Sequence, residues 1–290
     1  MTANLPRIAL IGFGEAGSTF ASAGGWDDAA RAWDTDPARA AVMEACGITA
    51  AGSAQEALAG AEVVLSLVTA DQALAAAETC APLLAAGALW CDMNSVAPET
   101  KRAASRHVEA AGGRYVDVAV MAPVDPARLN VLLLFAGPAA GEAMERLRQL
   151  GFAKTRVTGD GVGHASSIKL CRSIMVKGLE ALTAEMVMSA SQAGVLDEVL
   201  ASLDASEKHV SWRERADYNL DRMLLHGRRR SAEMYEASEM IRDLGISPMM
   251  TENTVSWQEG LGELGIRPMP EGLEAKLAAI KATPHFKGDI

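Results

Sequence analysis

The chain has 290 residues, of which 49% are hydrophobic and 22% charged, a composition typical of a globular protein. The formal net charge of −10 argues against nucleic acid or an anionic membrane surface as the main partner. The four cysteines lie in apolar runs without C-x-x-C pairs, which indicates buried free thiols in a reducing compartment. We expect no signal peptide, no membrane span and no metal site, because neither the apolar runs nor the histidine spacing fits one. The composition therefore predicts a cytoplasmic protein.

An apolar run from Ile8 to Ile11 ends at a glycine-rich turn, after which a helix-like segment begins. The glycines have the G-x-G-x-x-G spacing of a dinucleotide-binding turn. In such a turn the first glycine lets the chain bend sharply, the second lets backbone approach a pyrophosphate, and the third lets the helix pack closely. The free N–H groups at the start of the helix face the phosphates. The predicted cofactor-binding residues of the turn are Gly12, Phe13, Gly14, Glu15, Ala16 and Gly17.

The next strand-like run, Ala29–Trp33, is followed by Asp34, where the dinucleotide motif requires an acid. A carboxylate at this position accepts hydrogen bonds from the adenosine ribose and repels a 2′-phosphate, which favours NAD, with NADP as the second possibility. Alternatively, Asp34 caps a loop, since Asp36-Pro37 follows and begins a helix.

Short apolar runs then alternate with helix-like stretches, as in a parallel sheet with crossover helices. Further strands are predicted at Ile48–Ala51, Val63–Val68, Ala88–Met93, Tyr115–Met121, Val131–Phe135 and Lys154–Val157. Helices are predicted at Pro37–Cys46, Ser53–Ala59, Gln72–Leu84, Pro98–Ala111 and Ala140–Leu150. Ligands bind at the carboxyl ends of parallel strands, so the chain segments there should form one crevice with the glycine turn. The side chains expected in it are Val68, Thr69, Asn94 and Ser95, together with the loop after Met121, although each could also be an ordinary connection.

Strand patterns end near Gly159–Gly163, and apolar residues then recur every three to four positions from His164 to Ala193. This period predicts one long helix, and helical patterns fill the rest of the chain. The sequence thus predicts an α/β protein with two domains. Residues 1–162 form a Rossmann-type, doubly wound parallel sheet that binds the dinucleotide, and residues 163–290 form an all-α domain for substrate binding and dimerisation, joined by the long helix.

Lys169 lies near the start of the long helix, beneath the predicted crevice. From there its ammonium can donate to a substrate oxygen. With its pKa lowered by desolvation and by a cationic nicotinamide, it can act as a general base. The alternative is an exposed lysine without a catalytic role, which its helix position alone favours.

Four segments carry a combined signal: Gly12–Gly17, Cys91–Pro98, Asp117–Pro123 and Gly163–Lys169. In this order they resemble motifs of the β-hydroxyacid dehydrogenase superfamily, which includes 3-hydroxyisobutyrate dehydrogenase and 6-phosphogluconate dehydrogenase. The resemblance implies hydride transfer between NAD(P) and a small 3-hydroxy acid, with Lys169 as the general acid/base and Asn94 and Ser173 as further catalytic residues. It also implies a homodimer.

The chain departs from this family where the substrate carboxylate should bind. Met121, Ala122 and Pro123 replace Ser-Gly-Gly, Pro123 has no N–H, and Ser173 replaces an asparagine. These departures argue against both usual substrates and favour another anchor for an anionic small molecule, such as Arg172. The predicted substrate-binding residues are Met121, Ala122, Pro123, Lys169, Arg172 and Ser173. The cluster Arg228–Arg230 is interpreted first as a solvated face or a subunit contact, and second as a substrate clamp.

Two other functions stay open at this point. Imine reductases are related to this superfamily but usually lack the lysine, so the presence of Lys169 counts against that activity. A non-catalytic dinucleotide-binding scaffold would tolerate loss of the lysine, because a dehydrogenase fold can host other functions.

Overall fold

The computed structural model describes residues 5–206 and 210–283. By its internal contacts the chain divides into two compact units, Met1–Ile174 and Met175–Ile290. The predicted boundary after residue 162 lies earlier, because the first turns of the long helix pack on the sheet of the first unit. The two units are described separately below.

One eight-stranded sheet forms the first unit. Its strands are β1 (Ile8–Ile11), β2 (Ala30–Trp33), β3 (Thr49–Ala50), β4 (Val63–Ser66), β5 (Leu89–Asp92), β6 (Arg114–Val120), β7 (Leu133–Ala136) and β8 (Thr155–Gly159). They lie in the order β3-β2-β1-β4-β5-β6-β7-β8. Every neighbouring pair is parallel except β6 and β7. The order reverses beside β1, which places the glycine turn at the point where doubly wound sheets bind their ligands.

The strands β1, β4, β5 and β7 are buried on both faces, which explains their mostly apolar sequences. In β1, Ile8 and Leu10 pack in one hydrophobic cluster, while Ala9 and Ile11 pack in the other. The helices that cover the two faces are α1 (Glu15–Gly24), α2 (Arg39–Ala45), α3 (Ala54–Leu58), α4 (Ala73–Cys80), α5 (Pro98–Ala110) and α6 (Ala140–Gln149). This is the predicted Rossmann-type architecture, and the fold class is confirmed.

Every regular secondary-structure element among the described residues of the second unit is a helix. The long helix α7 (His164–Gln192) begins in the first unit and ends in the second. It is followed by α8 (Leu196–Ser206), α9 (Trp212–Asp243), α10 (Met249–Glu263) and α11 (Leu273–Ala282). Helices α9 and α10 cross closely, since a Cβ on Gly227 would lie 2.1 Å from the carbonyl oxygen of Gln258.

Buried polar groups fix the ends of these helices. The carboxylate of Glu185 accepts hydrogen bonds from the N–H groups of Met250 and Thr251 at 2.7 and 2.9 Å, and so caps α10. Lys276 of α11 pairs with Asp217 at 2.6 Å and with Asp221 at 3.0 Å. The buried ammonium of Lys276 is tolerated because two carboxylates pair with it.

Two predictions about the chain need correction. The sheet is mixed, since β7 returns antiparallel to β6 after a connection without a crossover helix. The thiols are all free, but they are not all buried: Cys80 and Cys91 are buried, Cys46 is half-buried and Cys171 is exposed on α7. None of the helices in residues 5–206 and 210–283 is both long and apolar enough to span a membrane.

Candidate active site

The three glycines of the turn have distinct surroundings. Gly12 has φ +90°, and a Cβ there would lie 2.7 Å from the carbonyl oxygen of Leu67, so the fold itself requires glycine. A Cβ on Gly17 would lie 3.0 Å from the carbonyl oxygen of Gly12. A Cβ on Gly14 would meet no atom within 4 Å. Gly14 is the N-cap of α1, so the unpaired N–H groups of the first helical turn lie beside open space that suits a pyrophosphate.

Asp34 is fixed by one backbone group of the glycine turn and by one of its own loop after β2. Its Oδ2 accepts a hydrogen bond from the Phe13 N–H at 2.6 Å, and its Oδ1 accepts one from the Asp36 N–H at 2.9 Å. The second bond is the loop cap that the sequence left as an alternative. Since each carboxylate oxygen accepts more than one hydrogen bond, the cap leaves acceptor capacity for ribose hydroxyls.

A row of polar side chains crosses the sheet next to the turn. Ile11 of β1 pairs in register with Ser66, Ser66 with Asp92, and Asp92 with Asp117. Ser66 and Asp92 are the last residues of their strands, whereas β6 continues past Asp117 to Val120. All three polar residues are fully buried. In-register residues of parallel neighbours lie on the same face, so their side chains form one contiguous network.

Asn94 follows β5 and is held rigidly by this network. Its Nδ2 donates to Ser66 Oγ at 2.9 Å and to Asp92 Oδ1 at 2.8 Å, and its backbone N–H donates to the same carboxylate oxygen at 2.9 Å. The amide orientation is fixed because a carboxylate only accepts. Asn94 Oδ1 has no hydrogen-bond partner among the described residues, although Asn94 is only 5% exposed. A buried acceptor of this kind is available to a ligand donor.

A buried lysine, which the sequence analysis did not single out, lies at the centre of the network. Lys101 of α5 is 0% exposed, and its ammonium lies 2.9 Å from Asp92 Oδ1 and 3.5 Å from Asp117 Oδ1. It also donates to the carbonyl oxygen of Asp92 at 2.6 Å. The phenol of Tyr115 donates to Asp92 Oδ2 at 2.5 Å. Burial, followed by the charge of Asp92, raises the pKa of Tyr115 far above its usual range, so the phenol keeps its proton.

The start of α7 is anchored to the same network through Asp117. Its Oδ2 accepts hydrogen bonds from the Gly163 N–H at 3.1 Å and from Ser166 N–H and Oγ at 3.0 and 3.2 Å. Ala165 packs in a buried cluster with three residues of β6 and β7: Ala119, Leu134 and Ala136. Lys169 lies one helical turn after Ser166 and is half-buried. A charged residue inside an apolar strand run was the sequence signal for Asp92 and Asp117.

The predicted substrate residues fall on the loop after β6 and on the facing part of α7. Met121 is half-buried, whereas Ala122 and Pro123 are exposed. Arg172 Nη1 donates to the carbonyl oxygen of Met121 at 3.3 Å, so these two predicted residues meet. Ser173 is half-buried, four positions after Lys169.

The remaining cofactor predictions lie on loops at the carboxyl ends of β4 and β5. Val68 is half-buried, while Thr69 and Ser95 are exposed. A hydrogen bond from the Thr69 side chain, followed by one from Gln72, lowers the pKa of Asp71. β4 pairs with β1 and β5 pairs with β4, so both loops lie at the same end of the sheet as the glycine turn, as the crevice prediction requires.

The arginine cluster of the helical unit is divided between two environments. Arg230 is half-buried, and its Nε donates to Gln258 Oε1 at 3.3 Å between α9 and α10. Arg228 is exposed and lines a cavity of about 450 Å³ together with His226 and Arg267. No group of three His, Cys, Asp or Glu side chains within the described ranges is arranged to hold a metal ion.

Comparison with known proteins identifies the family. Residues 7–154 match the NAD binding domain of 6-phosphogluconate dehydrogenase, and residues 190–261 match a domain of unknown function, DUF1932. The chain belongs to the β-hydroxyacid dehydrogenase superfamily. It is a divergent member, as the resemblance of its four motifs implied, and the prediction of a nicotinamide-binding protein of this family is confirmed.

Two solved structures are similar to this chain over most of their length. The chain is 35% identical to a conserved hypothetical protein from Sinorhizobium meliloti 1021, with 96% of both chains covered and a TM-score of 0.61. It is 30% identical to a conserved protein of unknown function described as structurally similar to 3-hydroxyacid dehydrogenases, with 89% of this chain and 97% of that one covered and a TM-score of 0.58.

Curated relatives are more distant. The 3-hydroxyisobutyrate dehydrogenase of Pseudomonas aeruginosa is 27% identical over 71% of both chains. An uncharacterised 28.5 kDa protein of Methanothermus fervidus is 27% identical over 57% of this chain, and the match spans 63% of that protein. The imine reductase from Pseudomonas sp. superposes with a TM-score of 0.71 over 96% of this chain at 19% identity, which shows a shared fold.

Proposed function

We propose that this dehydrogenase family member oxidises a small anionic 3-hydroxy acid with NAD, using Lys169 as the general acid/base. The observation that carries the proposal is the anchoring of the α7 start to Asp117, one helical turn before Lys169, at the edge of the sheet where the glycine turn lies. In the family the lysine at this position carries the proton transfer, and here the lysine is retained.

The residues of the chain divide the chemistry as follows. A bound nicotinamide supplies the hydride acceptor in oxidation and the hydride donor in reduction. Lys169 accepts the hydroxyl proton while the carbinol carbon loses hydride, and it returns the proton to the carbonyl oxygen in the reverse direction. Asn94 accepts a hydrogen bond through its unpartnered Oδ1, since its Nδ2 is already used by Ser66 and Asp92.

The preference for NAD is argued from the charges beside the cofactor turn. Asp34 and Asp36 place two carboxylates at the end of β2, where a 2′-phosphate would have to bind. The Arg39 guanidinium lies 3.7 Å from the Asp36 carboxylate, and this ion pair makes the guanidinium less available to bind a 2′-phosphate. Like charges at this site disfavour NADP.

The substrate proposal follows from the loop after β6. Ala122 has no hydroxyl and Pro123 has no N–H, so this loop offers a carboxylate fewer donors than Ser-Gly-Gly would. Arg172, held against the loop by the carbonyl of Met121, supplies the cation instead. Ser173 contributes a hydroxyl on a shorter arm than the family's asparagine.

Imine reduction is the second candidate. The exposed, uncharged Ala122 and Pro123 suit a neutral imine better than a carboxylate, and the imine reductase fold is shared. Retention of Lys169 favours the dehydrogenase. The third candidate is a dinucleotide-binding scaffold without turnover, and an assay must distinguish it from both enzymes.

We further propose that the protein is a cytoplasmic homodimer that associates through its helical unit. The exposed apolar side chains of α7, Met175, Val176, Leu179, Leu182 and Met188, support an interface there. The buried thiols of Cys80 and Cys91 suit a reducing compartment.

The decisive experiment combines a substrate panel with one variant. Hydroxy acids are offered with NAD and NADP, and imines with the reduced cofactors, while absorbance of the reduced cofactor is followed. K169A should reduce turnover of the hydroxy acid by at least about a hundredfold with NADH affinity unchanged. Unchanged turnover in K169A would remove Lys169 from the mechanism. Tight NADH binding without turnover on either panel would favour the scaffold.

A further inference from the structure

We propose that Asp117 and Lys101 are positioning residues that set the place of Lys169, a role that rests on the proposed dehydrogenase function. Neither side chain needs to touch substrate or cofactor. Asp117 acts through the first turn of α7, and Lys101 acts through Asp117 and Asp92.

The first step is the capping of α7 by a single oxygen. Asp117 Oδ2 receives three donors from the beginning of the helix, one from Gly163 and two from Ser166. A buried carboxylate at a helix N-terminus pairs with unsatisfied N–H groups and with the positive end of the helix dipole. Lys169 lies three residues beyond Ser166, on the neighbouring part of the same helical face. Any shift of the capped turn is therefore transmitted to the Lys169 Cα.

The second step is the control of Asp117 by Lys101. Asp92 and Asp117 are in-register neighbours on adjacent strands, and both carboxylates are fully buried. Asp117 Oδ1 has no hydrogen-bond donor among the described residues, but it lies 3.5 Å from the Lys101 ammonium. That contact is a charge interaction rather than a hydrogen bond, and it offsets the repulsion between the two carboxylates.

The third step is that the Lys101 ammonium also fixes Asp92, which orients Asn94. Lys101 bonds Asp92 through both the side-chain and the backbone oxygen, and Asp92 Oδ1 orients the amide of Asn94. One buried cation thus links the residue proposed to accept from the ligand with the helix that carries the proposed base. The charges of this cluster are two carboxylates and one ammonium, since Tyr115 keeps its proton, and the N-terminus of α7 compensates the remaining negative charge.

Adjacent serines supply a matched pair of variants. S166A removes an Oγ that lies 3.2 Å from Asp117 Oδ2 and 3.1 Å from the Gly163 carbonyl oxygen, and it retains the N–H bond to Asp117. S167A removes an Oγ that donates at 2.7 Å to the same Gly163 carbonyl, just before the helix, and has no bond to Asp117 to lose. D117N keeps the shape of the cap but removes its charge and half of its acceptor capacity. These three single substitutions separate loss of the anchor from loss of a hydroxyl.

The test measures backbone hydrogen exchange across the full-length protein, without substrate. D117N should accelerate exchange of the amides of residues 163–170 by at least about tenfold, S166A should accelerate it less, and S167A should leave it unchanged. Exchange in α3 and α4, which supply none of the hydrogen bonds and ion pairs described for Asp117, should stay unchanged in all three variants. Equal exchange at 163–170 in D117N and S167A would overturn the proposal, as would an acceleration spread evenly over the first unit.

Kinetics then separate positioning from simple loss of folded protein. With NAD and 3-hydroxypropionate as the probe, and with rates divided by the number of NADH-binding sites, D117N should lower kcat by about tenfold or more and leave the KM for NAD within about twofold. The deuterium isotope effect at the carbinol carbon should rise in D117N and not in S167A, because a displaced base slows the chemical step. Failure of the dehydrogenase assignment would show instead as unchanged turnover in K169A, with the exchange result intact.

Discussion

The three glycines of the turn differ in whether the fold or a ligand would require them. Gly12 and Gly17 are required by close backbone contacts within the protein, whereas Gly14 has open space where a side chain would project. The open space at Gly14 leaves room for a pyrophosphate to approach the backbone at the start of α1. The spacing of the motif predicted all three roles, because each role follows from the geometry of a strand, a tight turn and a helix.

The glycines make a testable contrast. G14A should leave the urea midpoint almost unchanged, since its methyl meets no protein atom, while weakening NADH binding by about tenfold or more, because backbone must approach the pyrophosphate there. G17A should instead cost about 1–3 kcal/mol of stability through its contact with the Gly12 carbonyl. Urea unfolding and NADH fluorescence titration measure both effects. Undiminished NADH affinity in G14A would rule out the turn as the pyrophosphate site.

The sequence analysis missed residues whose role depends on partners in other secondary-structure elements. Lys101 lies in the polar helix pattern of Pro98–Ala110, where a lysine is expected to be solvated. Its burial arises because β5 and β6, the strands on either side of α5 in the chain, bring the carboxylates of Asp92 and Asp117 to the same place. Arg172 and Met121 were both predicted to bind substrate, and a hydrogen bond joins them in the structure.

At the scale of elements, apolar periodicity located the strands and helices of the first unit to within a few residues. The runs predicted at Ala88–Met93 and His164–Ala193 appear as Leu89–Asp92 and His164–Gln192. The antiparallel return of β7 was not predicted, because strand patterns carry no direction and the connection before β7 holds only a short 3₁₀ turn, Arg128–Asn130. The register of strand pairing could not be predicted from the sequence either, and the row of polar side chains from Ser66 to Asp117 depends on that register.

Two buried lysines provide an element-scale prediction about stability. K101M should cost about 3–5 kcal/mol, because it leaves two carboxylates buried without a cation. K276M is the matched control: Lys276 is equally enclosed and also pairs with two aspartates, but those side chains are 31% and 35% exposed and water can solvate them. The loss in K276M should therefore be clearly smaller. Urea unfolding followed by circular dichroism compares them, and an equal loss would show that partner burial does not govern the cost.

At the scale of the whole molecule, the surface of α7 presents a group of exposed apolar side chains. Met175, Leu179 and Leu182 recur at helical spacing and are 48%, 44% and 44% exposed. Apolar side chains grouped in this way are costly in water and mark association surfaces. The net charge of −10 adds repulsion between copies but does not remove this cost. A second copy of the chain, as the family resemblance implied, is the proposed cover.

The homodimer proposal predicts that charge on this face separates the subunits. The double variant L179E/L182E should be monomeric at micromolar concentration, because association would bury unpaired carboxylates. L132E is the control, since Leu132 is 40% exposed but lies on the sheet unit outside the α7 surface, and it should remain dimeric. Sedimentation equilibrium of the parent and both variants measures the mass directly. A parent protein that sediments as a monomer would contradict the proposal, whereas a dimeric L179E/L182E would place the interface on a different surface.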